Sequence, residues 1–167
     1  YTEYINRLSL GLTLKSAMKR DQHLKVDLND LPGHYARRVH QIAVGLFMRE
    51  MNGLNVTPVQ YSSLQTICQN PGIDQGTLAR TIAIDTSTVG SVIDRLESRG
   101  LVVRNVLPTD KRVRQVTATA EGEKVLAKVV PPMLRSQDQF LKPLSPKDRK
   151  EMMRLMRALI DAHGPII

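Results

Sequence analysis

The sequence predicts a mainly α-helical protein with a small β-wing, in which a winged helix-turn-helix lies between long amphipathic helices on its N- and C-terminal sides. Three patterns predict it. Leu31, Tyr35, Val39, Ile42 and Leu46 recur at the spacing of one helix face. Asp74 and Asp85 each stand before a short helical segment, and two helices separated by a two- or three-residue turn are a helix-turn-helix. LVVRNV at 101–106 is rich in β-branched residues and RVRQVTAT at 112–119 alternates, so the LPTDK turn joins them as a hairpin.

Each element carries its own start and stop signals. The first long helix runs over 31–51 and stops near Asn52-Gly53. Thr57-Pro58-Val59-Gln60 combines an N-cap, a proline at the first helical position and a Gln three residues after the cap, opening a helix to about Gln69 that Asn70-Pro71-Gly72 ends. Asp74 caps a helix to Ile82 carrying Leu78, Ala79 and Ile82; Asp85 caps another to about Arg99, with Gly100 as its stop. Thr119 caps a helix whose first turn holds Glu121 and Glu123, favourable at the positive end of the helix dipole. Its apolar face continues through Val125, Leu126, Val129, Val130, Met133 and Leu134, and Pro131-Pro132 is expected to kink or break it. Ser145-Pro146 starts the last helix, with Met152, Leu155, Met156, Leu159 and Ile160 apolar, and Gly164-Pro165 ends it. Residues 1–30 read as an N-terminal extension without a clear pattern.

A chain of 167 residues is expected to form one compact unit. Its 24 Lys and Arg against 16 Asp and Glu give a net charge of +8, the balance of a protein whose partner is a polyanion. The single cysteine, Cys68, excludes an internal disulfide and a Cys-cluster metal site and fits a reducing, cytoplasmic compartment. It falls late in an apolar helix with no flanking cation, and reads as a structural thiol rather than a redox sensor. LSLGLTL at 8–14 is interrupted by polar residues and lacks a small-residue cleavage site, and no apolar run approaches the roughly 20 residues that span a bilayer. No membrane partner is expected. Phosphate-binding Gly-rich loops, HExxH and GxSxG are missing, and His23, His34, His40 and His163 lack ligand spacing with carboxylates, so no enzymatic activity, cofactor or metal is expected.

The helix at 85–99 has two faces. Val89, Val92, Ile93 and Leu96 must face a core, which leaves Ser87, Ser91, Asp94 and Ser98 on the opposite side with Thr88 and Arg95 beside them. Short side chains let a helix approach a surface closely, and hydroxyls can contact base edges in the DNA major groove; a solvated face that binds nothing fits the same pattern. On the second wing strand Arg112, Arg114, Val116 and Ala118 share one face, cationic at the tip and apolar at the root. Arg112 is placed to enter a minor groove and Lys111 and Arg114 to reach phosphates, while Asp110 is expected to pair with a neighbouring arginine and fix its direction. A soluble hairpin with random charges is the plain alternative.

LESRGLVVRNVLPTDKRVRQVTATAEG, Leu96 to Gly122, resembles the MarR-family winged-helix signature LExxGLVxR followed by PxDxRxxxVxLTxxG, with Ala118 where the family usually has leucine. The helix order from about Leu31 to Ala162 is similar to the family's whole fold. The resemblance implies a homodimer in which the first and last two helices of each subunit interlock and each winged helix reads half of a palindrome. Long apolar stripes outside a winged-helix core of this kind need cover, and a two-fold dimer supplies it. The implied organisation is an extension at 1–30, a dimerisation helix at 31–56, a DNA-binding winged helix-turn-helix at 57–119 and C-terminal dimerisation helices at 120–167. DNA contacts carried over from the resemblance are Ser87, Thr88, Ser91 and Arg95 on the helix, Lys111, Arg112 and Arg114 on the wing, and Gln75 and Gly76 as phosphate contacts through backbone N–H groups. Truncation near Pro143 is expected to expose the stripe from Val125 to Leu134.

His34, Arg38, Gln41 and Gly45 fall at i, i+4, i+7 and i+11, a polar and cationic stripe beside the apolar seam, with a gap at Gly45. Such a gap suits a small planar aromatic acid, its carboxylate on Arg38 and Tyr61 supplying the opposite wall. Pairing of the same residues across a dimer interface also fits. The stretches LPGHYARRVHQ, LNVTPVQY and GIDQGTLA resemble the MarR subgroup that represses breakdown of aromatic and N-heteroaromatic acids, with hydroxynicotinate-type effectors. The sequence therefore reads as a repressor released from palindromic operator DNA by a small aromatic acid. A winged-helix module that docks an acidic protein, or a DNA-binding protein with no effector, is the alternative.

Overall fold

The computed structural model describes residues 27–106 and 114–164. Asp110, Lys111, Arg112 and most of the N-terminal extension lie outside the described residues. The chain divides into two compact units, residues 1–38 and 39–167, where one was expected. Among residues 27–38 only His34 is even half-buried, so this stretch contributes no core.

A short 3-10 turn at Leu28–Asp30 precedes α1 (Pro32–Glu50), α2 (Pro58–Gln69), β1 (Ile73–Asp74), α3 (Gln75–Thr81), α4 (Thr86–Ser98), β2 (Val102–Val106), β3 (Arg114–Ala118), α5 (Ala120–Leu141) and α6 (Pro146–His163). The caps explain the boundaries. Gln60 N–H donates to Thr57 Oγ1 at 3.3 Å while Thr57 N–H donates to Gln60 Oε1 at 3.1 Å, a reciprocal box of a kind worth about 1 kcal/mol. Asp74, Asp85, Thr119 and Ser145 accept from the backbone three residues on in the same way.

The strands form one antiparallel sheet in the order β1-β3-β2. In the wing Val102 faces Ala118, Arg104 faces Val116 and Val106 faces Arg114, the hairpin that alternation implied. The third strand, β1, is an addition: Ile73 pairs with Val116, but a two-residue strand directly before a helix cap is too short to show a period.

One core cluster fills the winged helix-turn-helix, with Leu64, Ile67, Leu78, Val89, Ile93, Leu96, Val102 and Val116 all buried. A second joins Phe47 and Met51 of α1, Val56 and Val129, with Val125 and Met133 of α5 packed on it. Helix α5 is therefore the strut between both clusters, and the truncation expectation needs correction. Val125, Leu126, Val129, Val130 and Met133 are packed by α1, α2 and the winged helix of the same chain, leaving only Leu134 of that stripe exposed, at 55%. The break offered at Pro131-Pro132 does not occur either, since α5 runs through both prolines. Their missing N–H groups remove the i+4 donors to the carbonyls of Ala127 and Lys128, and both residues are exposed.

Two helices keep apolar residues in the open. Leu155, Leu159 and Ile160 of α6 are 48%, 62% and 67% exposed, and Tyr35 and Ile42 of α1, with Leu31 just before it, are exposed as well. The residue of α1 that is buried is Phe47, about half a turn around the helix from the Leu31-Tyr35-Ile42 seam.

Candidate nucleic-acid interface

Helix α4 is two-faced as its sequence requires. Val89, Val92, Ile93 and Leu96 are 0%, 8%, 0% and 1% exposed, and Ser87, Thr88, Ser91, Asp94, Arg95 and Ser98 are all exposed. The apolar face holds the helix on the core, so the polar face is presented outward on a rigid element rather than on a loop.

The hydroxyls of that face are not idle. Ser87 Oγ donates to Asp85 Oδ1 at 2.5 Å, Thr88 Oγ1 donates to Asp85 Oδ2 at 2.6 Å, and Thr88 N–H donates to Oδ1 at 2.8 Å. The Ser87 hydroxyl first, then the Thr88 groups, hold the Asp85 carboxyl well below the usual carboxylate range. Further along, Ser91 Oγ donates to Ser87 O at 3.3 Å and Ser98 Oγ to Arg95 O at 2.9 Å.

A parallel arrangement opens α3. Thr77 Oγ1 donates to Asp74 Oδ2 at 2.6 Å and Thr77 N–H to Oδ1 at 2.8 Å, which lowers the Asp74 carboxyl. Gln75 and Gly76 form the first turn beyond this cap and are half-buried. Arg80, which sequence reasoning passed over, donates through Nη2 to Thr77 Oγ1 at 2.9 Å and is exposed. Its signal was available: it stands three residues after Thr77, on the same helix face.

The wing root is tied to α4 by an arginine that was also passed over. Arg104 is paired with Asp94, and its Nη1 lies 3.3 Å from Glu97 Oε2 while its backbone N–H donates to Glu97 Oε1 at 3.1 Å. Asp94 is thus engaged with the strand rather than simply facing outward. A cation at position 104, on the same strand face as buried Val102, was the available clue, because such a charge needs an acid close by. On β3, Arg114 is exposed and Val116 is fully buried, so the described part of the strand runs from an exposed cation to an apolar root. Lys111, Arg112 and Asp110 lie outside the described residues.

Within residues 39–167 an open cleft of about 460 Å3 is lined by His40, Ala43, Val44 and Phe47 of α1, Pro58, Tyr61 and Ser62 of α2, and Met133 and Gln137 of α5. The Phe47 and Tyr61 rings lie 6.0 Å apart at 48°, and burial pushes the Tyr61 hydroxyl pKa up. Tyr61 lines the cleft as a wall. Gln41 is not among its lining residues: at about 100° per residue it lies beside the His40-Val44-Phe47 face of α1, and Gly45 lies farther round. The spacing that joined His34, Arg38, Gln41 and Gly45 fixed one face but not which face α2 covers. His34 and Arg38 stand in the other unit, on the first two turns of α1, where the His34 and Tyr35 rings meet edge to face at 6.0 Å. A Cβ on Gly45 would meet nothing within 4 Å, because this exposed glycine faces open space.

Among the described residues no cluster of metal-binding side chains occurs, and no helix is long and apolar enough to cross a membrane. Burial first, then Glu123, pushes the Cys68 thiol up, away from thiolate reactivity.

A helix-turn-helix with a tied wing and a polar helix face held outward defines a winged-helix nucleic-acid reader. The MarR family model matches residues 56–113. The transcriptional regulator HosA of Escherichia coli O111:H- is 35% identical over 129 residues, 77% of this chain and 94% of HosA. Among solved structures, PcaV of Streptomyces coelicolor in complex with its natural ligand is 32% identical with a TM-score of 0.74, covering 83% of this chain and 98% of PcaV. BpsR of Bordetella bronchiseptica, solved to explain regulation of its DNA binding by 6-hydroxynicotinic acid, is 26% identical with a TM-score of 0.77, covering 81% of this chain and 97% of BpsR. The chain belongs to the MarR family of transcriptional regulators.

Proposed function

We propose that this regulator is a homodimeric repressor that reads a palindromic operator and leaves it when a small aromatic acid binds. The observation that carries the reading is the outward polar face of α4 on a fully buried apolar one. Ser87, Thr88, Ser91 and Arg95 are assigned to the major groove, Gln75 and Gly76 to phosphates, Lys111 and Arg114 to the backbone beside the wing, and Arg112 to the minor groove. Exposed Leu155, Leu159 and Ile160 support a dimer, since burying each such side chain is worth roughly 1.5–3 kcal/mol.

The effector is assigned to the cleft beside Tyr61, whose walls are apolar and aromatic with His40, Ser62 and Gln137 as polar groups. PcaV, solved with its natural ligand, supports a ligand-responsive regulator, and BpsR, whose DNA binding 6-hydroxynicotinic acid regulates, supports an effector of this class. His40 is the carboxylate partner in this placement; Arg38 with His34 is the competing assignment from the sequence. To release DNA, the acid must bind the DNA-free form more tightly.

Footprinting on the regulator's own upstream region, then calorimetry with benzoate, salicylate, nicotinate and hydroxynicotinate, tests the reading. Arg112→Ala should weaken operator binding by roughly 1–3 kcal/mol and relax preference at flanking A·T positions. Loss of effector binding in His40→Ala with retention in Arg38→Ala supports the cleft, the reverse supports the stripe, and binding of none of the four acids removes the effector from the reading.

A further inference from the structure

We propose that Ser87 and Thr88 read only amino groups: they accept hydrogen bonds from adenine N6 or cytosine N4 and do not donate to guanine or thymine acceptors. The inference rests on the operator-reading proposal above and specifies what that same helix face recognises.

A hydroxyl has one proton to give and two lone pairs to offer. Both protons are already placed, Ser87 Oγ on Asp85 Oδ1 at 2.5 Å and Thr88 Oγ1 on Asp85 Oδ2 at 2.6 Å. Each carboxylate oxygen has its own hydroxyl, and Oδ1 also takes the Thr88 N–H at 2.8 Å. Bonds of hydroxyl to carboxylate are charge-assisted, about twice as strong as neutral ones, so a base carbonyl or ring nitrogen does not draw the proton away. The carboxyl remains ionised at neutral pH, being held low by the same contacts, and has no proton to return. What Ser87 and Thr88 present outward is therefore lone pairs. In the major groove the only base donors are the exocyclic amines of adenine and cytosine, whereas guanine N7 and O6, adenine N7 and thymine O4 all accept.

The residue that sets this preference is Asp85, which need touch no base. In D85N the side-chain oxygen keeps the cap, because Asn caps as well as Asp, but the amide NH2 replaces one acceptor. One hydroxyl then receives a hydrogen bond and turns its own proton outward.

The test uses the full-length protein and its footprinted operator, with single analogues scanned across every half-site position. Purine replaces adenine and pyrimidin-2-one replaces cytosine, each removing a major-groove amine; 7-deaza purines remove the ring-nitrogen acceptor. The expected result is a loss of about fivefold to tenfold at two or more amine deletions, of which D85N reduces the loss at the position read by the hydroxyl that its amide NH2 faces, circular dichroism showing D85N folded. Amine deletions without effect, or losses that D85N leaves unchanged at every position, overturn the proposal. If no duplex is preferred at all, the operator reading fails first and this inference falls with it.

Discussion

A Cβ built on Gly122, at the start of α5, would lie 2.1 Å from the backbone carbonyl oxygen of Leu101, the residue that leads from α4 into the wing. Thr119 closes the same junction, its hydroxyl donating to Gly100 O at 2.7 Å and its N–H to Leu101 O at 3.0 Å. The wing root, the end of α4 and the start of α5 are held at one point. Backbone cannot yield as a side chain can, so Gly122→Ala is expected to destabilise the fold by roughly 1–3 kcal/mol in chemical denaturation. An unchanged midpoint would show that the junction is loose.

Ala83, in the turn between α3 and α4, has φ of 54°, a left-handed conformation that disfavours any Cβ. Ala83→Gly should stabilise the protein by about 0.5–1 kcal/mol, the strain removed being partly offset by greater freedom of the unfolded chain. A lower melting temperature would mean that the turn is not strained.

The helix-turn-helix was legible in the sequence because each of its helices announces itself by a cap and an apolar spacing, from Thr57-Pro58 to Asp85. The hairpin was legible because β-branched Val102 and Val103 precede the alternation at 114–118. What escaped lies in contacts between elements. Strand β1 has two residues and no period, and the tie from Arg104 to Asp94 and Glu97 links positions up to ten apart on different elements. On α1 the periodicity showed an apolar seam, but not that Phe47 rather than Ile42 faces the core, since helical spacing identifies faces without naming their neighbours. The α4 face was read correctly as exposed, whereas the Asp85 network that orients its hydroxyls appears only when the cap is built.

Acid should loosen both helices of the reading head. Asp74 and Asp85 sit below their ordinary value of 3.8 in the folded protein, so the stability they add is complete above that pH and is lost as pH falls through their lowered folded values. Denaturation midpoints taken from about pH 6 to about pH 2 should fall on the acid side, and less steeply in D85N, which cannot protonate at this position. Identical curves for both proteins would show that Asp85 ionisation adds nothing to stability.

Removing residues 144–167 should leave cooperative unfolding intact, because α5 is packed by its own chain, and should shift sedimentation toward the monomer, because α6 carries exposed Leu155, Leu159 and Ile160. A truncated chain that sediments as a dimer would assign the interface elsewhere.

The most direct test is a fluorescence anisotropy titration of the protein against its footprinted operator and against a scrambled duplex of equal length and composition, repeated over a range of salt. The affinity ratio should reach about a thousandfold or more at physiological salt, and the logarithm of affinity for either duplex should fall with the logarithm of salt at about −0.9 per phosphate contacted. Equal affinity for both sequences, or no dependence on salt, would contradict a winged helix that reads DNA through the α4 face.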